Sequence, residues 1–327
     1  MTGTEPLWMW LVFSAAIVFF LWLDLALFNR QPHAITIRES LVWTGIWIVL
    51  ALGFSVFLYG YYDFSKLGGE KALAFLTGFL IEKSLSVDNL FVILLIFRYF
   101  HVETRYQYRV LFWGIFGALV MRFILIVLGV HLIALFHLLV YIFGGFLVFT
   151  ALRVAFGAEH EIRPDRNIFV RIFRRLFPVT SQYHGHHFFV RSDLGWVATP
   201  MFVVLLVIEG TDLIFAVDSI PAVLAITNDP FVVFTSNAFA VLGLRSLYFA
   251  LSGVMQLFVY LRYGLAVILA FIGFKMLLSD IIRISTGFSL SVVATILTVT
   301  VVASVVKSRR DAVRTPVQQV PQSSFSE

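Results

Sequence analysis

Apolar residues run along this chain in blocks of about 20, the length a helix needs to cross a bilayer core, separated by short polar and basic stretches. Nine such segments are predicted, at residues 7–28, 41–62, 72–97, 109–130, 134–156, 196–226, 231–257, 262–281 and 286–306. The expected fold class is therefore an all-α polytopic membrane protein with one transmembrane domain over residues 1–306. The sixth segment is too long for one straight span. Pro221 in it cannot donate to the carbonyl of Val217, which predicts a kink or break near Asp218. The first segment contains no basic leader and ends at Asn29-Arg30 without a small-residue cleavage site, so it reads as a retained helix and not as a signal peptide.

Composition sharpens this picture. Of 327 residues 60% are hydrophobic and only 13% charged, against about 25% charged in soluble domains, and the mean hydropathy is +0.93. The excess of 24 Lys+Arg over 19 Asp+Glu is not a nucleic-acid signal, because most of the base lies in loops on alternate sides of the predicted spans. One side holds Arg30, Arg38, Arg98, Arg105, Arg109, the arginines from Arg153 to Arg191, Arg262 and the Lys307–Arg314 group; the other holds only Lys66, Lys71 and Arg283. By the positive-inside rule this expects the N-terminus outside and the C-terminus in the cytoplasm. The central loop, about 157–195, places Arg171, Arg174 and Arg175 among Ile168, Phe169, Ile172 and Phe173, the pattern of a surface amphipathic helix. The tail, 307–327, is polar with Pro316 and Pro321 and is expected to be disordered. The absence of cysteine excludes disulfides, iron–sulfur clusters and thiolate zinc sites.

Three landmarks recur in the same order. Asp88-Asn89 matches Asp218-Ser219, the run ending in Arg122 matches the run ending in Arg245, and Phe143-Gly144-Gly145-Phe146 matches Phe271-Ile272-Gly273-Phe274, at offsets of 130, 123 and 128. Each copy, about 72–156 and 196–281, holds three predicted spans. An odd number of spans inverts the second copy relative to the first, the design of many transporters, with a site near the midplane where the repeats meet.

Acidic residues head each copy: Glu82 and Asp88 in the first, Glu209, Asp212 and Asp218 in the second. A carboxylate at bilayer depth costs roughly 2.5–3.5 kcal/mol on insertion scales, so five are tolerated only where they face protein, water or a cation. At about 100° per residue, Glu82, Ser86 and Asn89 share one face, and Glu209, Asp212 and Ser219 another; Asp218 falls nearly opposite Glu209. All line one cavity only if the helices are interrupted near the aspartates. Lys83, Arg122, Arg245 and Lys275 also lie within spans, and structural neutralisation competes with ligand binding as their explanation. Arg122 and Arg245, at matched positions, read as structural pairs; Lys83 either snorkels or pairs; Lys275 is a candidate counter-charge released when a cation binds. Asp24, near the end of the first segment, is explained equally by interfacial solvation and by ion entry. His160, His184, His186 and His187 form a loose loop cluster, more simply solvated than metal-binding. Ser236 and Asn237 suit helix–helix hydrogen bonds better than ligation. Carboxylate, amide and hydroxyl oxygens without thiolate or imidazole in the spans fit Mg²⁺, Ca²⁺ or Mn²⁺ and do not choose among them.

At these residues the chain resembles the TerC family: Glu82-Lys-Ser-Leu-Ser-Val-Asp-Asn89, Phe215-Ala-Val-Asp-Ser-Ile-Pro-Ala222, Thr235-Ser-Asn237, Gly243-Leu-Arg245, Tyr263-Gly-Leu-Ala266 and, in the loop, His187-Phe-Phe-Val-Arg191. The likeness covers roughly residues 10–306 and is nearest to the Alx branch of manganese exporters. It implies export of Mn²⁺ from the cytoplasm across the inner (plasma) membrane, with links to tellurite resistance. The resemblance supplies the metal; the residues supply a hard-cation site, with Glu82, Asp88, Asn89, Glu209, Asp212, Asp218 and Ser219 as the metal-binding set and Lys83 and Lys275 as counter-charges. No nucleotide-binding motif is present, so secondary transport without a resident cofactor is expected. The competing reading is a membrane scaffold in a stress-resistance complex, its basic loop and tail binding cytoplasmic or membrane partners. An intramembrane aspartyl protease lacks its Gly-x-Gly-Asp motif here, and no enzyme is expected.

Overall fold

The computed structural model describes residues 5–28, 37–156, 177–180, 185, 187–192, 195–252, 260–282 and 284–314. Its helices are α1 (Leu7–Phe28), α2 (Ile37–Tyr61), α3 (Lys66–Tyr99), α4 (Thr104–Leu135), α5 (Leu138–Phe156), α6 (Pro200–Leu224), α7 (Pro230–Leu242), α8 (Leu244–Ser252), α9 (Leu261–Leu277) and α10 (Thr286–Arg314). A short antiparallel hairpin, β1 (Phe189–Ser192) and β2 (Gly195–Ala198), precedes α6. Among the described residues six stretches are long and apolar enough to cross a membrane: α2, α4, α5, α6, the α7–α8 pair and α10. Their outward faces carry large apolar groups, such as Val49 and Val56 on α2, Ile124 and Leu128 on α4, and Val299 and Val302 on α10. Water would penalise such a surface, and hydrocarbon does not. The chain is thus an all-α polytopic membrane protein. The longest helix, α3, is interrupted by charge, with Glu82, Lys83 and Asp88 along it.

The structure redraws several predicted boundaries. The seventh segment divides at Gly243 into α7 and α8. Lys83 of α3 lies against that point: a Cβ on Gly243 would stand 2.5 Å from its Nζ, which donates to the Ala240 carbonyl at 3.3 Å. The predicted break near Asp218 is corrected. α6 runs unbroken through Asp218 and Pro221 and stops at Leu224, so the proline ends the helix within a turn, where few intrahelical bonds remain to be lost. Residues 195–198 form a strand and not the start of a helix; α6 begins at Pro200, whose fixed φ suits the first helical position after the cap residue Thr199. α10 continues to Arg314 instead of ending at 306. The predicted surface helix around Arg171–Arg175, His160, His184 and His186, and the tail beyond residue 314 lie outside the described residues, as does the side chain of Asp24.

Packing is organised around α3 and α6. α3 lies along α7, and α6 along α4; α3 and α6 touch each other, and α5 lies along α9. The last contact is backbone-close. A Cβ on Gly144 would meet Met276 Cβ at 3.0 Å and the Gly273 carbonyl at 3.1 Å, and one on Gly273 would meet the Gly144 carbonyl at 2.9 Å. Small residues admit such close approach, the usual basis of helix association in lipid. α1 holds on mainly through rings: Trp10 packs edge-on to Phe231 at 5.1 Å between centroids, and Phe13 lies against Phe54 at 5.5 Å.

One end of the bundle is tied by a buried polar cluster. The Lys71 ammonium, near the start of α3, binds Asp229 at 2.7 Å, pairs with Glu5, and lies 3.0 Å from the Tyr62 hydroxyl, which also donates to Glu5. Asp229 caps α7 by accepting from the Phe231 and Val232 amides at 3.0 and 3.3 Å. Because Asp229 follows the C-terminus of α6, its bond to the first turns of α3 makes α3 and α6 antiparallel. Burial alone would lower the Lys71 pKa, but hydrogen bonds to Asp229, Glu5 and Tyr62 outweigh it and hold it above the ordinary lysine value. Burial and the Glu5 hydrogen bond push the Tyr62 hydroxyl up to about 12.

Breaking one partner of such a buried pair costs about 3–5 kcal/mol, so Lys71→Met is expected to lower the thermal unfolding midpoint of the detergent-purified protein strongly. Since folding raises the Lys71 pKa, its contribution is complete below the ordinary value of 10.5 and lost as pH rises through the folded value. The gap in midpoint between wild type and Lys71→Met should therefore hold steady from about pH 8 to 10 and narrow above that; a gap that widens with alkali contradicts the assignment.

Candidate functional site

At the centre of the bundle stands Arg122 of α4, the bulkiest fully buried side chain, 1% exposed. The sequence demands this indirectly: from Val110 to Val130 α4 is apolar but for Arg122, so that guanidinium must find acceptors on neighbouring helices. Nε donates to Asp212 Oδ2 at 3.1 Å and Nη2 to Asp212 Oδ1 at 2.8 Å, the two-pronged geometry that suits guanidinium and carboxylate. Nη1 donates to Glu82 Oε1 and to Asn237 Oδ1, the latter at 2.7 Å. Asn237 Nδ2 donates in turn to Glu82 Oε2 at 3.3 Å. The network joins four helices: Glu82 from α3, Arg122 from α4, Asp212 from α6 and Asn237 from α7. Glu82 is fully buried and the Asp212 side chain 13% exposed.

Glu209 belongs to the same neighbourhood. It lies one helical turn before Asp212 on α6 and rests on α4 at Gly117, where a Cβ would collide with its carboxylate. A glycine at that place is what lets a carboxylate enter the α4–α6 interface. Asp218 points elsewhere: its Oδ1 accepts from Thr150 Oγ1 of α5 at 3.2 Å. The half-turn between Glu209 and Asp218, read from the sequence, survives because α6 is not interrupted between them. The side chain of Asp88 lies outside the described residues, so its distance from Asp218 does too. Among the described residues no three carboxylate or imidazole groups are poised around one ion-sized space; the guanidinium stands between Glu82 and Asp212.

Asn89 and Ser219, matched in the two repeats, are both buried, 4% and 2% exposed. Thr77 and Thr211 donate to carbonyls one turn back, each at 2.7 Å, the usual solution for a hydroxyl in a membrane helix. Ser86 and Ser219 do not: their buried Oγ atoms find no hydrogen-bond partner among the described residues. Leaving a buried hydroxyl unsatisfied costs about 1–3 kcal/mol, so two on the helices that carry the carboxylates are a feature in need of a ligand.

The candidate counter-charges are separate from this network. Lys83 reaches the Ala240 carbonyl and not a carboxylate. Lys275 donates to Ser289 of α10 at 3.1 Å and lines a cavity of about 650 Å³ with His137, Asn228, Ser279 and Asp280, at the end of the bundle. There Asp280 accepts from Tyr141 at 2.5 Å and lies 3.3 Å from His137 Nε2. Arg245, matched to Arg122 in sequence, stacks on the Tyr108 ring at 4.5 Å. Ser236 donates to the Val233 carbonyl at 3.0 Å, and the His187 carbonyl accepts from Thr199 at 2.6 Å. Sequence reasoning missed Thr150 as the partner of Asp218 and the Glu5–Lys71–Asp229 cluster. Asp229-Pro230, a capping residue followed by a first-turn proline, was the available signal for the second.

The comparisons with known proteins converge. An uncharacterised membrane protein of Myxococcus xanthus is 45% identical over 301 residues, covering 92% of this chain and 93% of its own length. A protein of Salmonella typhi, provisionally named membrane-bound redox modulator Alx, is 46% identical over 314 residues, 94% of this chain and 97% of its own. The Escherichia coli K12 protein of the same name is 45% identical over 302 residues, 91% and 94% of the two chains. No solved structure matches. The sequence profile described as the integral membrane protein TerC family matches residues 67–312, which hold every residue of the Arg122 network, and the chain belongs to that family.

Proposed function

We infer that this protein is a secondary transporter that moves a divalent cation, Mn²⁺, out of the cytoplasm through the α3–α6 interface. One observation carries the reading: two carboxylates from different helices, Glu82 of α3 and Asp212 of α6, converge on one buried point that the Arg122 guanidinium holds, with Glu209 one turn away against Gly117. The unpartnered hydroxyls of Ser86 and Ser219, on the same two antiparallel helices but displaced from that point in opposite directions, supply neutral oxygen to the path on either side of it, the ligand a hard cation prefers. Manganese in particular rests on the TerC likeness.

The packing supports an inverted three-plus-three repeat within a nine-span arrangement. Exchanging α3 with α6, α4 with α7 and α5 with α9 turns the α3–α7 contact into α6–α4 and leaves α3–α6 and α5–α9 as self-pairs, as a two-fold axis would. The reciprocal approach of Gly144 and Gly273 has the same form. Alternating access would then be rocking of one repeat against the other around the Arg122 centre. The distribution of loop charge orients the bundle in the inner membrane with its N-terminus outside and its C-terminus in the cytoplasm. Asp218, Asp88, Asn89 and Lys275 lie beyond the Arg122 network or outside its described side chains, and are assigned to the ion path on either side of it.

The name redox modulator belongs to the relatives. A chain with no cysteine runs no thiol–disulfide chemistry of its own, whereas control of the level of a redox-active metal ion would alter redox state from a transporter. The scaffold alternative, with its tellurite-resistance partners, predicts no flux by the isolated protein.

Purified protein in liposomes should carry Mn²⁺ without any partner, and Glu209→Gln or Asp218→Asn should cut that flux at unchanged protein content; normal flux in both variants defeats the site. Ser86→Ala and Ser219→Ala remove an oxygen without disturbing charge. Each is expected to lower Mn²⁺ flux, with the unfolding midpoint of the metal-free protein unchanged or raised. Uptake of radioactive Mn²⁺ into liposomes reads the first effect and thermal unfolding the second.

A further inference from the structure

We propose that Arg122 is the protein's own occupant of the cation site: its guanidinium holds Glu82 and Asp212 in the ion-free state, and an arriving divalent cation displaces it. The inference rests on the transport reading and adds to it the identity of the group with which the ion competes.

The geometry is that of occupancy more than of bracing. Every nitrogen of the guanidinium is engaged, with Nε and Nη2 on Asp212 and Nη1 shared between Glu82 and Asn237. The two carboxylates come from different helices, α3 and α6, and converge on this one cation. A metal ion there would be bonded at about 2.0–2.6 Å, shorter than the 2.8 and 3.1 Å of the Arg122–Asp212 bonds, and it lacks the width of a guanidinium. Replacing the arginine therefore draws Glu82 and Asp212 together and α3 toward α6. Binding is thereby coupled to a movement of the two repeats, and the arginine's return reopens them and expels the ion.

The displaced side chain has somewhere to go. Glu209 is one turn from Asp212 and already packed on α4, the helix that carries Arg122. With the ion between Glu82 and Asp212, the displaced guanidinium finds a new acceptor in the Glu209 carboxylate.

The apparent affinity of a site is reduced by the fraction of time it is unavailable, so removing the competitor must tighten binding. The test uses the full chain in detergent and in liposomes, with Mn²⁺ as the probe. In Arg122→Gln the equilibrium dissociation constant should fall by about tenfold or more, as it would if the site is free about a tenth of the time in wild type. Mn²⁺ should raise its unfolding midpoint more than that of wild type, while liposome flux is lost because the ion is no longer expelled. Should Arg122→Gln fail to fold, the pair Glu82→Gln and Glu82→Gln/Arg122→Gln serves, since the double variant removes one charge of each sign: it should bind Mn²⁺ more tightly than the single. Binding that is unchanged or weaker on loss of Arg122, with wild type binding and transporting normally, overturns the proposal and leaves Arg122 a structural brace. No binding and no flux by any form, wild type included, overturns the transport reading itself.

Discussion

A guanidinium buried in the interior of the bundle is the constraint on which the centre of this protein depends. Arg122 must be neutralised and hydrogen-bonded where it stands, and among the described residues the groups that do so come from α3, α6 and α7. Its presence therefore selects the neighbours of α4 and fixes their axial register, because a helix displaced by one turn would withdraw its carboxylate by about 5 Å. Buried ion pairs contribute little net stability compared with apolar packing, and their best-attested use is to specify one arrangement over others. Here the arrangement specified sets two acidic helices face to face.

The same logic operates at the end of the bundle, where Lys71 gathers Glu5, Asp229 and Tyr62. That cluster joins the start of the chain, the end of α2, the beginning of α3 and the cap of α7. It fixes which ends of α3 and α6 coincide, and so makes them antiparallel. Between these two polar anchors the helices are held by shape: glycines at the α5–α9 contact, and phenylalanine and tryptophan rings where α1 and α2 meet α7. Lipid offers no hydrophobic drive for such packing, so close fit and satisfied polar groups have to supply it. Among the described residues the buried hydroxyls of Ser86, Ser219 and Ser279 are left without a hydrogen-bond partner.

Much of this was legible in the sequence. Apolar blocks of bilayer length fixed the class of fold, since every backbone group in hydrocarbon must be bonded within its own helix. Glu82 and Asp212 could be named as candidate ligands and Arg122 as a structural pair because charge inside an apolar block is costly and needs a partner. The half-turn between Glu209 and Asp218 followed from helical periodicity alone, and holds.

What the sequence could not decide is which charge meets which, because partners in an ion pair are set by the packing of segments far apart in the chain. Arg122 and Arg245 are equivalent as sequence, yet one joins two carboxylates and the other stacks on Tyr108. Pro221 read as a break near Asp218, but it lies so close to the end of α6 that it terminates the helix; the interruption falls instead at Gly243, where Lys83 crosses from α3. Local sequence determined the spans and the inventory of charge within them. Only the tertiary structure decided that a guanidinium would lie between Glu82 and Asp212, because the low dielectric of the interior makes each buried charge depend on whatever neighbour the fold brings within hydrogen-bond distance.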